Sequence, residues 1–360
     1  MRSAHDVRVL ALNAGSSSLK FGLYRVGGET CDLLLDGEAE DGRLWAKDAS
    51  GRSLLDEAAS ADMDAALTRI ISMLAAPPDI VGHRIVHGGP EVRRHCLIDD
   101  AVLKALEGAA ILAPLHLPPA LAMVRHARAR FPHAAQAACL DTAFHADMPR
   151  AASTYPLPEA IRDAGVLRYG FHGLSCESIL RQLARDVPER LIIAHLGGGC
   201  SVTAVRRGRS VDTSMGLTPS GGLMMATRCG DIDPGALIYL MRERGLDADA
   251  LERLVDRESG LMGIAGTGVM QILAPREDPD ARLAIQMFQR SAAKAIAGMM
   301  AVLGGADLIV FTGGIGEHDA RLREAVCGAL AWSGAPHRAM PSREDEEIAR
   351  LSRWLAAPGA

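Results

Sequence analysis

Two segments of this chain repeat one local plan, and that repetition limits the fold more than any other feature. Residues 7–24, VRVLALNAGSSSLKFGLY, form an apolar run, a turn of small residues and a second strand-like run, and residues 191–213, LIIAHLGGGCSVTAVRRGRSVDT, follow the same order. Each half then continues into alternating strand and helix patterns. The sequence therefore predicts two related α/β domains with one ground plan.

The last third of the chain shows this alternation most clearly. Apolar residues recur at helical spacing between Ile285 and Leu303, and the strand-like run LIVF (308–311) follows them. After TGGIGE (312–317), the pattern predicts a helix from about Asp319 to Trp332. The glycine turn is therefore expected at the carboxyl end of a strand, where open α/β sheets bind ligands and where a helix start favours an anion.

Length and charge exclude several classes of protein. A chain of 360 residues exceeds one ordinary hydrophobic core, and its 48% hydrophobic residues can fill two. The net charge of −5, without a run of lysine or arginine, argues against a broad nucleic-acid or membrane surface. The longest apolar stretch, residues 292–311, contains Lys294 and Asp307, so no membrane-spanning helix is expected.

The cysteines and the first residues predict a location. Seven cysteines form no CxxC pair and are odd in number, which is typical of a reducing compartment with buried or idle thiols. The opening MRSAHD leads into a predicted strand and lacks the basic and apolar segments of a signal peptide. Both observations predict a cytoplasmic protein.

Residues 13–20, NAGSSSLK, place an amide, a glycine, three hydroxyls and a lysine at the end of a predicted strand. The glycine allows a sharp turn, the hydroxyls and main-chain N–H groups can donate to phosphate oxygens, and Lys20 adds a mobile positive charge. The P-loop pattern GxxxxGK[ST] is absent. Serine and glycine are also ordinary turn residues, so a plain hairpin turn is the competing interpretation.

Four further segments put charged or polar residues beside predicted strand ends or glycines. They are GHRIVHGG (82–89) with His83, Arg84 and His87, CLDTAFH (139–145) with Asp141, YGFHG (169–173) with Phe171 and His172, and MATRCGDIDPG (225–235) with Arg228. Each alone has an ordinary explanation, as a solvated turn residue or a helix cap. Taken together with NAGSSSLK, they predict a ligand site built from strand ends.

The chain resembles the acetokinase family, a branch of the actin, sugar-kinase and heat-shock ATPase superfamily, over nearly its whole length. The resemblance rests on NAGSSSLK, GHRIVHGG, APLHLPP, DTAFH, YGFHG, HLGGG, DTSMGLTP, TRCGDIDP and TGGIGE, in that order. It implies duplicated ribonuclease H-like (actin-like ATPase) domains, each a mixed five-stranded sheet flanked by helices, with the active site in the interdomain cleft. The implied domains are residues 1–145, joined by a C-terminal helix at 343–360, and a nucleotide-binding and dimerisation domain at 146–342.

The same resemblance implies an activity. Members transfer the γ-phosphoryl group of ATP to acetate or a close homologue such as propionate, giving acetyl phosphate and ADP, reversibly and with Mg²⁺. Mn²⁺ is an alternative metal. The family is homodimeric, and neither nucleic acid nor membrane is an expected partner.

Four residues match the family's catalytic positions, namely Arg84, Asp141, His172 and Arg228. The resemblance implies that the two arginines hold the carboxylate and the transferring group, while His172 donates to the phosphoryl oxygens. Asp141 matches the acid/base residue of the family. Because a carboxylate substrate is already ionised at pH 7, the alternative is that Asp141 orients Arg84, His172 or the metal.

Other positions match the family's binding sites. The implied acyl-substrate site contains Arg84 and the apolar residues Val86, Leu115, Phe171 and Pro219. One methylene in such a pocket is worth only about 1–3 kcal/mol, so acetate and propionate are both expected substrates. The implied metal contacts are Asn13 and Glu344. For Glu344 the competing interpretation is an acidic helix start, in which Ser342 and Asp345 form a capping box.

The implied nucleotide site departs from the family pattern at three places. Its residues are Ser16, Ser18, Lys20, His195, Leu196, Gly197, Gly198, Gly199, Met270, Gln271, Ile272, Gly314, Ile315, Gly316, Glu317 and His318. Gly198 and His318 stand where the family has asparagines, and residues 270–272 replace an Asp-Met-Arg stretch. We expect ATP to bind mainly through its phosphates, with weakened base selectivity. A different triphosphate or pyrophosphate as donor, a non-catalytic nucleotide-binding relative, and a butyrate kinase-like enzyme are the alternatives.

Overall fold

Two units, each built on a mixed β-sheet, make up the part of the chain that the structure describes. The structure is a computed structural model, and it describes residues 6–15, 18–40, 42–58 and 63–357. Unit 1 comprises the described residues up to Ala143 together with those from Arg343 onward, and unit 2 comprises Phe144–Ser342.

Unit 1 contains eight strands and four α-helices in the described residues. The strands are β1 (Val7–Ala14), β2 (Leu19–Val26), β3 (Cys31–Glu40), β4 (Arg43–Asp48), β5 (Ser53–Ala58), β6 (Ile80–Ile85), β7 (Cys96–Leu97) and β8 (Ala135–Leu140); the helices are α1 (Met63–Met73), α2 (Asp100–Gly108), α3 (Leu117–Arg130) and the C-terminal α14 (Glu344–Leu355). The strand order is β5-β4-β3-β2-β1-β6-β8-β7. β1 is antiparallel to β2 and parallel to β6, which is parallel to β8.

Both faces of the unit 1 sheet are covered by helices. Leu10 and Leu12 alternate along β1 onto one face, where they join a buried cluster with Leu67 and Ile70 of α1. On the other side α14 packs against β1, β2, β6 and β8. Gly82 of β6 allows this packing, because a Cβ there would overlap the side chain of Ser352.

Unit 2 contains five strands and ten α-helices in the described residues. The strands are β9 (Arg190–Leu196), β10 (Cys200–Arg206), β11 (Arg209–Thr213), β12 (Leu308–Thr312) and β13 (His337–Ala339); the helices are α4 (Arg150–Ser153), α5 (Glu159–Asp163), α6 (Gly173–Leu183), α7 (Pro234–Arg244), α8 (Ala248–Arg257), α9 (Gly260–Ala265), α10 (Met270–Leu273), α11 (Pro279–Leu303), α12 (Gly313–His318) and α13 (Ala320–Ala329). The strand order is β11-β10-β9-β12-β13. β9 is antiparallel to β10 and parallel to β12, which is parallel to β13.

The two sheets therefore repeat one topology. The order β3-β2-β1-β6-β8 in unit 1 corresponds to β11-β10-β9-β12-β13 in unit 2, with the same parallel and antiparallel neighbours. The predicted mixed α/β plan and its duplication are confirmed. The predicted five strands per half are correct for unit 2, whereas the sheet of unit 1 has eight.

The extra strands of unit 1 come from a segment that the sequence analysis left unassigned. β4 and β5 extend the sheet edge as an antiparallel meander, and Leu44 and Ala46 are fully buried in its core. Their charged neighbours and short length hid the alternation that marks a half-buried strand. β7 is only two residues long.

Three local details of the later chain differ from the sequence patterns. The TGGIGE turn is itself partly helical, because α12 begins at Gly313 within it, and the predicted helix 319–332 consists of α13 and a short 3₁₀ turn, Ala331–Ser333. The capping box of Ser342 and Asp345, the competing interpretation of the start of α14, is not formed. The N-cap residue is Arg343, which makes no side-chain cap hydrogen bond, and the hydroxyl of Ser342 bonds to Ser175 instead.

Among the helices described here, none is long and apolar enough to cross a membrane.

Candidate active-site residues

The turn that follows β1 holds the first group of candidate residues. Asn13 lies at the end of β1, and the N–H of Gly15 donates to the carbonyl oxygen of Ser18 at 2.8 Å, closing the hairpin to β2. Lys20 is exposed, and its Nζ lies 3.7 Å from Glu38. Ser16 lies outside the described residues. Ser18 and Lys20 follow this turn, and Lys20 is the cross-strand partner of Asn13.

The side chain of Asn13 is fixed from two sides. Its Oδ1 accepts a hydrogen bond from Nη1 of Arg84 at 3.2 Å, and its Nδ2 donates to Oδ1 of Asp345 at 3.3 Å. These bonds join β1, β6 and the first turn of α14 within unit 1. Sequence analysis had assigned Asp345 only to a helix cap, so its contact with Asn13 was missed. The four consecutive acids at 344–347 were the available signal.

Arg84 and Asp141 form a buried ion pair at the carboxyl ends of neighbouring parallel strands. Nε and Nη2 of Arg84 donate to the same carboxylate oxygen, Oδ2 of Asp141, at 2.9 and 2.6 Å. The side chain of Asp141 is 2% exposed and that of Arg84 is 19% exposed. The other oxygen, Oδ1 of Asp141, is buried without a hydrogen-bond partner among the described residues. The pair therefore fixes the guanidinium and leaves one carboxylate oxygen unsatisfied.

Burial and like charge shift the carboxyl groups of this cluster. Burial raises the pKa of Asp141, the charge of Glu344 adds to that rise, and Arg84 opposes it. Burial, together with the charge of Glu344, raises the pKa of Asp345 to about 6. Several acids thus lie close enough to Arg84 to influence one another, and a cation would relieve their repulsion.

The residues near Asn13 fit a magnesium ion in their chemistry. They offer an amide oxygen and carboxylates, which are the hard oxygen ligands that Mg²⁺ prefers. The unsatisfied Oδ1 of Asp141 adds an oxygen that lacks a donor. In the described chain, no group of three or more His, Cys, Asp or Glu side chains has metal-binding geometry. An ion held here would take few protein ligands and obtain the rest from water and phosphate.

The predicted walls of the acyl pocket are distributed over both units. Val86, directly after β6, is 3% exposed, and Leu115 is partly buried in the loop before α3. In unit 2, Phe171 is 1% exposed and Pro219 is also buried. Each of the four is thus at least partly shielded within its own unit.

In unit 2, the hairpin between β9 and β10 consists of three glycines. The N–H of Gly197 donates to the carbonyl oxygen of Gly199 at 3.0 Å, and Gly198 is exposed at the tip. A Cβ on Gly199 would lie 3.2 Å from Nε2 of His172 and 3.3 Å from Nη1 of Arg228. The structure therefore brings His172, Arg228 and the glycine hairpin together.

His172 is held in an uncommon backbone conformation. It precedes α6 with φ of 59°, in the left-handed region, which costs a non-glycine residue about 1–2 kcal/mol. Its Nδ1 is 2.9 Å from the hydroxyl of Ser201 on β10. Its ring also stacks on that of His195, with 4.1 Å between ring centroids. Sequence analysis proposed His172 but gave no sign of this stacking.

Arg228 lies in the long loop between β11 and α7. Its Nη1 donates to the carbonyl oxygen of Pro219 at 3.3 Å and approaches the sulfur of Met225 at 3.8 Å. These contacts hold the guanidinium beside Gly199, which itself lies at the end of the hairpin. A cation and an imidazole thus face the same glycine, an arrangement suited to a phosphoryl group.

The remaining predicted nucleotide residues lie on two short helices. In α12, Gly314 and His318 are exposed, Ile315 and Gly316 are buried, and Glu317 is partly buried. The Oε1 of Glu317 accepts hydrogen bonds from the N–H groups of Gly313 at 3.0 Å and Ser342 at 2.8 Å. Glu317 therefore also holds the polypeptide, a function the sequence did not indicate. On α10, Met270 is buried, while Gln271 and Ile272 are exposed.

The duplicated mixed sheet, with guanidinium groups, an imidazole and glycine turns at its strand ends, defines a phosphoryl-transfer class of protein. The model of the acetokinase family matches residues 8–344, and the chain belongs to that family.

Comparisons with individual proteins agree with this assignment. The chain is 41% identical to an acetate kinase of Methylocella silvestris over 351 residues, covering 91% of this chain and 87% of that protein. An acetate kinase of Shewanella putrefaciens is 42% identical over 345 residues, covering 89% and 86%.

Two solved structures share the fold. A propionate kinase from Francisella tularensis superposes with a TM-score of 0.90 at 32% identity, covering 97% of this chain and 100% of that one. The acetate kinase of Porphyromonas gingivalis gives a TM-score of 0.86 at 31% identity, covering 98% and 100%. The predicted fold class and family are therefore confirmed.

Proposed function

We propose that this protein transfers the γ-phosphoryl group of ATP to acetate or propionate, reversibly, giving the acyl phosphate and ADP. Its relatives include proteins named acetate kinase at about 40% identity and a structure named propionate kinase. The observation that carries the proposal is the Arg84 fork, which Asp141 and Asn13 hold at the ends of neighbouring strands. A fixed guanidinium is well suited to bind a carboxylate or a phosphoryl group.

The chemistry requires positive charge more than it requires a base. Phosphoryl transfer passes through a loose transition state whose charge lies on the equatorial oxygens. Arg84, Arg228 and His172 supply the donors that stabilise this charge. Because the acid is already ionised at neutral pH, we assign to Asp141 the orientation of Arg84, which its two short hydrogen bonds support.

Mg²⁺ or Mn²⁺ would be held by Asn13 and Glu344, with waters and donor phosphates completing its shell. When bound, the ion neutralises charge on the β- and γ-phosphates. The contact between Asn13 and Asp345 fixes the amide for this role.

The donor phosphates are proposed to lie against the glycine hairpin Gly197–Gly199 and the start of α12. Gly198 and His318 leave no asparagine amides at these turns, and the residues exposed on α10 are Gln271 and Ile272. We therefore infer weak discrimination among nucleoside triphosphates. Pyrophosphate is the competing donor.

A homodimer is the proposed assembly. None of the residues of α7 is buried in the single chain, yet the helix carries Ile238, Tyr239 and Met241, which are 48%, 54% and 47% exposed. An unpartnered apolar helix of this kind is typical of a subunit interface. Light scattering should give a mass of two chains, and Tyr239→Glu should shift it toward one.

We also propose a cytoplasmic location. The seven cysteines all lie in the described residues and none of them forms a disulfide, as expected in a reducing compartment. The proposed co-substrate, ATP, is a cytoplasmic metabolite.

The test is an acyl-phosphate trapping assay with hydroxylamine. Acetate, propionate and butyrate are crossed against ATP, GTP and pyrophosphate, with and without Mg²⁺. We expect acyl phosphate from acetate and propionate, and similar rates with ATP and GTP. A sharp preference for ATP would refute the donor inference alone. No acyl phosphate in any combination would refute the proposed function.

A further inference from the structure

Four side chains of unit 2 form a reciprocal arrangement that the proposed reaction does not explain. We call His172, Ser175, His195 and Ser201 the two-histidine clamp. His172 and Ser175 lie at the start of α6, whereas His195 is on β9 and Ser201 on β10. Nδ1 of His172 is 2.9 Å from the hydroxyl of Ser201, and Nδ1 of His195 is 2.9 Å from the hydroxyl of Ser175. A serine of α6 thus holds the imidazole of His195 on β9, and a serine of β10 holds the imidazole of His172 at the start of α6.

The strand register explains why both contacts reach the same ring. His195 and Ser201 are direct cross-strand partners in the β9–β10 ladder, so their side chains lie on one face of the sheet. Ser201 bonds to the edge of the His172 ring, and His195 stacks on its face with an interplanar angle of 20°. The ring of His172 is therefore fixed both in rotation and in tilt.

The backbone of His172 makes this support necessary. A residue with φ of 59° stays in the left-handed region only when its surroundings favour that conformation strongly. This conformation places Nε2 of His172 3.2 Å from the Cβ position on Gly199, and Nη1 of Arg228 lies 3.3 Å from the same point. A small rotation of the ring would move Nε2 away from this point.

The second ring nitrogen of His195 borders the start of α12. This atom, Nε2, lies 3.1 Å from the position that a Cβ on Gly313 would take. The sequence resemblance assigned His195 to the nucleotide site, but the stacking gives it a separate role.

We propose that His195 is a positioning residue that acts through His172, holding the orientation of the imidazole so that Nε2 stays beside Gly199. The inference rests on the proposed function, in which His172 stabilises the transferred group. Since ring stacking supplies the effect, an aromatic ring without nitrogens at position 195 should replace most of it.

The experiment compares His195→Ala with His195→Phe in the full-length enzyme. In His195→Ala, kcat should fall by about 10- to 100-fold, because displacements near 1 Å cost rates of this order. KM for acetate should change by less than about threefold, because the replacement is expected to alter the position of His172 in the transfer step and not the binding of the acid. His195→Phe should recover at least half of the logarithmic loss. Unchanged kcat in His195→Ala, or a raised KM for acetate in both variants, would overturn the proposal.

A second measurement does not depend on activity. In protein labelled with ¹³C-histidine, the Hε1 resonance of His172 should carry a ring-current shift that disappears in His195→Ala and persists in His195→Phe. If the resonance is the same in native protein and His195→Ala, the stacking is refuted. If the shift behaves as expected but no acyl phosphate forms, the proposed function fails and the clamp geometry stands.

Ser175→Ala provides a milder variant should both replacements at position 195 unfold. It removes the hydroxyl that bonds to Nδ1 of His195 and to the hydroxyl of Ser342, and it keeps both rings. We expect kcat to fall by about 3- to 10-fold with unchanged KM for acetate, as for loss of one or two hydrogen bonds. Native kcat in this variant would count against the proposal.

Discussion

Units 1 and 2 share a sheet topology, but they fix their functional side chains by different means. In unit 1, carboxylates hold the functional side chains: Asp141 pairs with Arg84, and Asp345 accepts a hydrogen bond from the amide of Asn13. In unit 2, His172 and Arg228 are held by hydroxyls, a carbonyl oxygen and ring stacking beside a glycine hairpin. The difference shows that a duplicated sheet keeps the positions of its strand ends, whereas the side chains at those ends, and the contacts that hold them, differ between the two copies.

If charge pairing fixes the unit 1 residues, Arg84→Ala should have the largest effect. It removes a proposed substrate cation and leaves the buried Asp141 without its partner. We expect activity to fall by more than about 10²-fold, and the free energy of unfolding to fall by about 3 kcal/mol, as when a buried ion pair loses one member. The trapping assay and urea denaturation measure the two effects. The double variant Arg84→Ala, Asp141→Ala should regain part of the stability, and its failure to do so would contradict the ion-pair account.

Arg228→Ala tests the corresponding cation of unit 2. We expect kcat to fall by about 10²-fold, because its charge is proposed to act on the transition state. The carbonyl oxygen of Pro219 and the sulfur of Met225 are uncharged, so losing these two contacts should lower the free energy of unfolding by about 1 kcal/mol or less. Steady-state kinetics and urea denaturation would show this split. A loss of stability equal to that of Arg84→Ala would erase the contrast between the units.

Gly199→Ala tests how closely the glycine hairpin approaches the unit 2 side chains. A Cβ there would lie 3.2 Å from Nε2 of His172 and 3.3 Å from Nη1 of Arg228, so both must shift by a few tenths of an ångström. We expect kcat to fall by about tenfold. Gly198→Ala is the matched variant, because no atom lies within 4 Å of its Cβ position, and its loss should be smaller. Equal kcat values for the two variants would argue against the close packing.

The last prediction concerns pH and one buried histidine in each unit. Burial lowers the pKa of both His83 and His145 to about 4. Between pH 6.5 and 4 the unfolded chain binds protons that the folded chain does not, so stability falls as pH decreases through this window. Each histidine contributes a slope of at most about 1.4 kcal/mol per pH unit. Urea unfolding of His83→Gln and of His145→Gln should show a shallower pH dependence than native protein, and an unchanged slope would contradict the assignment.

The success of sequence analysis differed along the chain for physical reasons. Glycine turns after long apolar runs predicted β1, β9 and β12 correctly, because a buried strand needs a continuous apolar pattern and a tight turn. The edge strands β4 and β5 were missed, since charged residues interrupt their alternation. The role of Ser342 was also misread. Its hydroxyl bonds to Ser175, which lies 167 positions away in sequence, so no local pattern could reveal it.

By itself, the sequence determined the duplicated plan, the family and the residue types available for phosphate and carboxylate chemistry. These depend on local periodicity and on motifs that are contiguous in the chain. Only the tertiary structure decided which side chains hold which others. Asp345 and Asp141 accept hydrogen bonds from Asn13 and Arg84, and the ring of His195 stacks on that of His172. The reason is that these contacts arise from strand pairing and helix packing between distant segments, and a ring or carboxylate acquires its orientation only from such neighbours.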